Sequence, residues 1–321
     1  MPFELYGSER PGAVRRYRLL EDRLQTNLDL PLLTPEEGAR GVVELPDGCL
    51  RSTTAPVQRL SDVWLAGRHR SFEYSVDGSR LHLELGELGA WCVELAARRV
   101  RRLGRTPLPD SLTAEIGFGP GLIPVLAWNA IFCLHASSVI GPHGAYVFLG
   151  DSGQGKSTLA GFQSTDRITD DITPVRIDVQ GAWILPHFPQ LKLSPSAQYP
   201  HAAPTRVRIQ GFFQLMPRRG TYDAPYRQGP LTEGQAWRVL THATVASRLF
   251  PRALLQAHLR AMGQLARWVP LWQLVYPWGL EHVPAVLGLL GGARGNPRGP
   301  MEGQPGPMEG QPVRQDDPRR D

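Results

Sequence analysis

The 321-residue sequence predicts an α/β protein, a P-loop core preceded by a β-rich N-terminal domain. Three observations lead there. Residues 1–115 carry short alternating runs broken by turn residues, the pattern of half-buried strands. From Ile131 onward, apolar strand-like runs give way to helical patterns, the alternation of an α/β layer architecture. Between a buried run, Ala145–Leu149, and a helical stretch lies GDSGQGKST, residues 150–158, so a strand and a helix flank a glycine-rich loop. The predicted organisation is a β-rich domain over 1–115, an α/β domain over 116–292 holding that loop, and a Gly/Pro-rich tail over 293–321.

The elements follow in order. Gly41–Leu45 is a short apolar run, and Ser71–Glu87 alternates about Asp77-Gly78, a hairpin turn pair. Ala90–Val100 fits either a strand or a helix ending in arginines. Pro107–Pro109 mark a boundary, and Gly119–Ala130 reads as a helix. FCLHASSVI (132–140) reads as a strand, GPHG (141–144) as a turn and AYVFL (145–149) as a buried strand. After the loop, a short helix leads to a brief strand at Arg167–Thr169. Val175–Val179 and Ala182–Leu185 flank a Gln180-Gly181 turn, and Arg206–Leu215 is a further strand. Helices are expected over Thr232–Phe250 and Arg252–Trp268, then a strand at Leu271–Val275 and a helix at Glu281–Leu290. The tail contains GPMEGQP twice in tandem; such a sequence has little to bury, so disorder is expected there.

Composition narrows the function classes. Hydrophobic residues are 41% and charged residues 20%, the balance of a soluble globular chain. No apolar run approaches the ~18 residues that span a bilayer. The N-terminus lacks a signal peptide's basic start and apolar segment. A cytoplasmic location with no membrane contact is therefore expected. Cys49, Cys92 and Cys133 show no CxxC spacing and read as reduced thiols rather than a disulfide or zinc site. The net charge is +5, but the arginines are scattered and no nucleic-acid motif appears, so nucleic acid is not an expected partner. Lys156 and Lys192 are the only lysines, so 33 of the 35 basic side chains are arginine. Where lysine survives in such a chain, a compact ammonium is a candidate requirement, as at a phosphate.

Gly150-Asp151-Ser152-Gly153-Gln154-Gly155-Lys156-Ser157 satisfies G-x-x-x-x-G-K-[ST], and Thr158 follows. Glycines let the loop wrap so that successive backbone N–H groups point at phosphate oxygens. Lys156 would neutralise the β- and γ-phosphates of ATP, and the Ser157 hydroxyl would ligate Mg2+. Asp170-Asp171 stands fourteen residues after Lys156, at a strand end. Alone, such a pair is a solvated turn or a helix cap. After a P-loop, one carboxylate can hold the metal while the other takes a proton from an incoming hydroxyl. His135 lies on the strand before the loop strand. If the two pair through the 141–144 turn, His135 falls at the end where the loop begins.

LHASSV (134–139), FLGDSGQGKSTLA (148–160) and ITDD (168–171) together resemble the core of the HPr kinase family, an HPr kinase/PEP carboxykinase-type fold. The resemblance is closest to the branch that includes lasso-peptide precursor kinases. It extends to LPHFPQLKL (185–193) and to the helix after Tyr276-Pro277. It implies that the loop residues and Lys156 bind nucleotide, that Ser157, Asp170 and Asp171 serve metal and base, and that His135 lies near the transferred phosphate. The loop-to-Asp spacing is short for that family, so the intervening helix must be trimmed. No segment resembles the phosphorylase signature of the bifunctional enzymes, which favours kinase activity alone.

The expected function is therefore transfer of the γ-phosphoryl group of ATP to a serine-type hydroxyl of a peptide or protein, a ribosomal lasso-type precursor included. Two other readings stay open: a small-molecule kinase on the same scaffold, and a non-catalytic ATP-binding scaffold in a peptide-maturation complex. The oligomeric state is open too, a homo-oligomer included. Lys192 is expected to contact the transferring phosphate or an acceptor carboxylate.

Overall fold

A computed structural model describes residues 2–7, 13–26, 28, 30, 33, 41–42, 55–65, 67–103, 108–162, 166–200, 202–218 and 224–290. The first sheet has nine strands: β1 Phe3–Tyr6, β2 Ala13–Leu19, β3 Asp22–Thr26, β4 Gly41–Val42, β5 Val57–Leu65, β6 Arg68–Asp77, β7 Arg80–Glu84, β8 Ala90–Glu94 and β9 Arg99–Leu103. Their order is β4-β2-β3-β1-β9-β8-β7-β6-β5. The sheet is mixed, because β1 runs parallel to both β3 and β9. The Asp77-Gly78 hairpin forms as its sequence predicts, with Asp77 opposite Arg80 and Gly78 at φ +58. Ala90–Val100 resolves to the strand alternative, as β8 and the start of β9. Leu81, Leu83, Trp91, Val93 and Val100 point from these strands into one buried cluster.

A helical layer covers that cluster. Its helix starts earlier than the predicted Gly119–Ala130: α1 spans Asp110–Ile116, a wide π-type turn covers Gly117–Gly121, and α2 spans Leu122–Trp128. Pro120 has no N–H to donate, and Gly119 leaves helical geometry at ψ −106, so the wide turn absorbs a break that the sequence reads as a start. Leu122 through Ala127 are all buried, because α2 lies between the two sheets, against β8 and β9 on one side and the next strand on the other.

The second sheet has eight strands: β10 Ile131–Gly141, β11 Gly144–Leu149, β12 Arg167–Thr169, β13 Ile172–Asp178, β14 Gly181–Ile184, β15 Val207–Arg218, β16 Tyr226–Gln228 and β17 Leu271–Pro277. Its order is β11-β10-β13-β14-β15-β17-β16, with β12 on β10. An additional pairing of β11 with β15 closes a ring of strands on itself. Helices α3 Lys156–Phe162, α4 Glu233–Ala243, α5 Arg252–Trp268 and α6 Val283–Gly288 complete the chain. The protein is thus mixed α/β, with two large mixed sheets and few helices.

Three expectations change. Helix α4 stops at Ala243 rather than Phe250, because Val245 N–H donates to Cys133 O at 2.8 Å and draws the chain alongside β10. Cys92 is disulfide-bonded, so the reading of three reduced thiols does not hold for it; Cys133 is free and buried. Strand β16 had no counterpart in the sequence reading. The 293–321 tail and residues 43–45 of the Gly41–Leu45 run lie outside the described residues. No helix among the described residues is long and apolar enough to cross a membrane.

Candidate active site

Register brings the candidate residues to one end of three neighbouring strands. β10 and β11 pair through the 141–144 turn, from Gly141↔Gly144 to Ala136↔Leu149. On its other edge β10 pairs with β12 at Ser138↔Thr169 and with β13 at His135↔Ile172. Asp170 and Asp171 lie between those strands, and Ala136 N–H donates to Asp171 O at 3.3 Å. Leu149, Ala136 and Asp171 therefore stand in a row, and the glycine-rich loop leaves β11 directly after Leu149. Two strand spacings, about 10 Å, separate the loop's first residue from the Asp pair across the sheet.

The loop takes its shape from its glycines and from three bonds. Gly153 and Gly155 have φ +82 and +93, where a side chain is strained, and a Cβ on Gly155 would also meet Tyr276 Oη at 3.4 Å. Asp151 N–H donates to Gln154 Oε1 at 2.9 Å, Gln154 Nε2 donates to Asp151 Oδ2 at 3.2 Å, and Tyr276 Oη donates to Gln154 O at 2.7 Å. Burial pushes the Tyr276 phenol up to about 12, so it stays a donor. Asp151, Ser152 and Gly153 are exposed, as are Ser157 and Thr158 on the first turn of α3.

Lys156 is buried, and its ammonium turns back into the loop, donating to Gly150 O at 2.7 Å and Asp151 O at 3.0 Å. Burial lowers its pKa. Asp171, Asp151 and Asp170 act in the opposite direction, while Lys192 adds to the lowering. Both carboxylates of the Asp pair are thus within electrostatic reach of the loop lysine.

The two aspartates differ. Asp170 is 5% exposed and accepts a hydrogen bond from Ser137 Oγ at 2.7 Å. Asp171 is partly exposed and sits at φ +79, a left-handed conformation that Asp and Asn tolerate better than most residues. Its Oδ1 meets His135 Nε2 at 3.3 Å and Lys192 Nζ at 2.9 Å. Burial raises its pKa, but hydrogen bonds from His135 and Lys192 outweigh that and hold the carboxyl below its ordinary value. Beneath the pair, Ser138 donates to Thr169, Thr169 to Thr173 and Thr173 to Ala136 O, a fully buried relay that joins β10, β12 and β13.

The predicted residues fall into two groups. Gly150, Asp151, Ser152, Gly153, Gln154, Gly155, Lys156, Ser157 and Thr158 form the loop and first helical turn. Asp170, Asp171, His135 and Lys192 gather beside it. Lys192 meets Asp171. Sequence reasoning missed Ser137, Tyr276 and Gln190, although each lies in a segment it had marked: LHASSV, Tyr276-Pro277 and LPHFPQLKL. Tyr276 and Gln190 hold backbone and Ser137 holds the Asp170 carboxylate, parts that no spacing rule reports.

Among the described residues, no three His, Cys, Asp or Glu side chains gather as a metal cage. Two carboxylates and a hydroxyl fit the way Mg2+ is held when substrate phosphates complete its shell. The arrangement defines a class, a mixed α/β protein with a glycine-rich lysine loop beside a carboxylate pair. No family model matches the chain, and no curated protein matches it.

Proposed function

We propose that this chain is an ATP-dependent phosphotransferase with an HPr kinase-like P-loop core, acting on a serine-type hydroxyl of a peptide or protein. One observation carries the reading: Lys156, at the end of the loop that leaves β11, and the Asp170–Asp171 pair, between β12 and β13, flank the same end of β10, within each other's electrostatic reach. That is the pairing of parts phosphoryl transfer needs, one group for the phosphates and one for the attacking hydroxyl.

Bound Mg2+·ATP would supply the phosphoryl group and the charge that holds its oxygens. The loop N–H groups and Lys156 would bind the phosphates, exchanging the Gly150 and Asp151 carbonyls for phosphate oxygen. Ser157 and the Asp pair would hold the metal. The acceptor oxygen would attack the γ-phosphorus as the β–γ bridging P–O bond breaks, and its proton would pass to a carboxylate of the pair. Asp171 is the more accessible of the two. Its lowered pKa makes it a weak base, but a loose transition state asks little of the base. Lys192 would offset charge beside it, and His135 would hold the same carboxylate oxygen. Their side chains are 64% and 40% exposed, and that open flank favours an extended polypeptide over an enclosed metabolite.

The test offers γ-labelled ATP and Mg2+ with a serine-containing peptide library and, separately, with a panel of hydroxylated metabolites. Phosphoserine in the peptides is the expected result. Label confined to the metabolites would replace the acceptor class, and ATP binding without transfer to either would leave a scaffold.

A further inference from the structure

Gln190 is 2% exposed, and its carboxamide spans the backbone on both sides of the Asp pair. Its Oε1 accepts from Asp170 N–H at 2.9 Å, and its Nε2 donates to Ile172 O at 3.0 Å and to Phe188 O at 3.1 Å. These bonds fall where regular pairing lapses, since β12 ends at Thr169 and β13 begins at Ile172. Asp171 lies between them at φ +79, a conformation that needs the surroundings to enforce it.

Gln190 is itself gripped. Its N–H donates to Gln198 Oε1 at 3.0 Å, and its carbonyl accepts from Gln198 Nε2 at 2.9 Å. The segment before it is anchored on the first sheet. Leu185 and Phe188 belong to the first sheet's buried cluster, and Leu20 N–H donates to His187 O at 2.8 Å. A chain of contacts therefore runs from the N-terminal sheet through Gln190 to the two carboxylates.

We propose that Gln190 is a positioning residue, fixing the direction of the Asp171 carboxylate for phosphoryl transfer, with Gln198 and the N-terminal sheet holding it in turn. The assignment rests on the phosphotransferase reading above. Gln190 touches backbone on either side of Asp171 and none of the loop, so it acts on the carboxylates and leaves the nucleotide site alone.

The experiment uses the full chain and three variants: Gln190→Leu, Asp171→Asn and the double substitution. Three quantities are measured: amide exchange across residues 168–173, affinity for a fluorescent ATP analogue, and release of labelled γ-phosphate from Mg2+·ATP. In Gln190→Leu, exchange rises, nucleotide affinity stays within about twofold, and turnover falls about 10- to 100-fold, the scale of a misplaced reacting group. In the Asp171→Asn background the same substitution costs no further turnover, because two residues acting through one function are not additive. Unchanged turnover in Gln190→Leu, or an equal further loss in the double variant, would overturn the proposal. If Gln190→Leu does not fold, Gln198→Ala loosens the same clamp from outside and carries the same expectations. A wild-type chain that neither binds nor cleaves ATP overturns the phosphotransferase reading and this role with it. That failure is recognisable because exchange at 168–173 still rises in the variant.

Discussion

Asp171 accepts from His135 Nε2 and Lys192 Nζ through a single oxygen, while its neighbour Asp170 is sealed against Ser137. Substitutions should separate the two effects at Asp171, its charge and its backbone. Asp171→Asn keeps a residue that tolerates positive φ, so turnover should drop about 100-fold or more with little change in melting temperature. Asp171→Ala adds backbone strain, about 1–2 kcal/mol of stability, which thermal unfolding of the two variants side by side would resolve. Lys192 is the second residue-scale case. Its pair with Asp171 is solvent-exposed, so Lys192→Ala should cost under about 0.5 kcal/mol of stability. ATP affinity should hold while transfer weakens, and unchanged transfer would make Lys192 a surface ion pair only. The loop, both aspartates, His135 and Lys192 were legible as types at a spacing. Gln190, Ser137 and Tyr276 were not, because a residue that holds backbone or another site residue in place carries no motif of its own.

At the scale of elements, every strand from β10 to β15 could be read from buried runs between turn residues, although β13 begins at Ile172 rather than Val175 and β15 runs on to Arg218 rather than Leu215. The end of α4 could not. Nothing in Thr244–Phe250 breaks a helix; a tertiary contact to β10 does. That junction makes a pH prediction. His258 on α5 is fully buried between Phe132 and Phe250, with its Nε2 2.8 Å from Thr244 Oγ1. Thr244 Oγ1 donates to Leu240 O, so it accepts from Nε2–H, and among the described residues the buried Nδ1 has no partner for a second proton. Burial lowers the His258 pKa below its ordinary 6.5. The unfolded chain then binds more protons than the folded one between 6.5 and the folded value. Stability is full above about pH 6.5 and is lost as pH falls through the folded pKa, by up to about 1.4 kcal/mol per pH unit. Denaturant midpoints measured from pH 7.5 to 5 should slope in wild type and flatten in His258→Leu.

Across the whole molecule, the two sheets share more than a linker. Ile116, Phe118, Leu122 and Val125 lie in one buried cluster with Leu5, Leu83, Trp91 and Val100. A Phe118–Phe188 edge contact at 5.8 Å and an Arg176–Glu21 ion pair add further links across the join. A chain cut between 115 and 116 would expose those helical residues, each worth about 1.5–3 kcal/mol of burial. Residues 116–292 expressed alone should fail to give a cooperative thermal transition, whereas the full chain should show one. The sequence separates a β-rich part from an α/β part by composition, but the packing of α2 between them depends on long-range partners that periodicity does not reveal.

The central claim is that the glycine-rich loop and the Asp pair form one nucleotide-handling site. Calorimetric titration of Mg2+·ATP into wild type and Lys156→Ala tests it most directly. On the proposed reading the buried Lys156 ammonium turns to the phosphates, so its removal should weaken binding about 10- to 100-fold, with an unchanged fold by circular dichroism. Equal affinity in the two proteins, or no binding by wild type, would contradict the account.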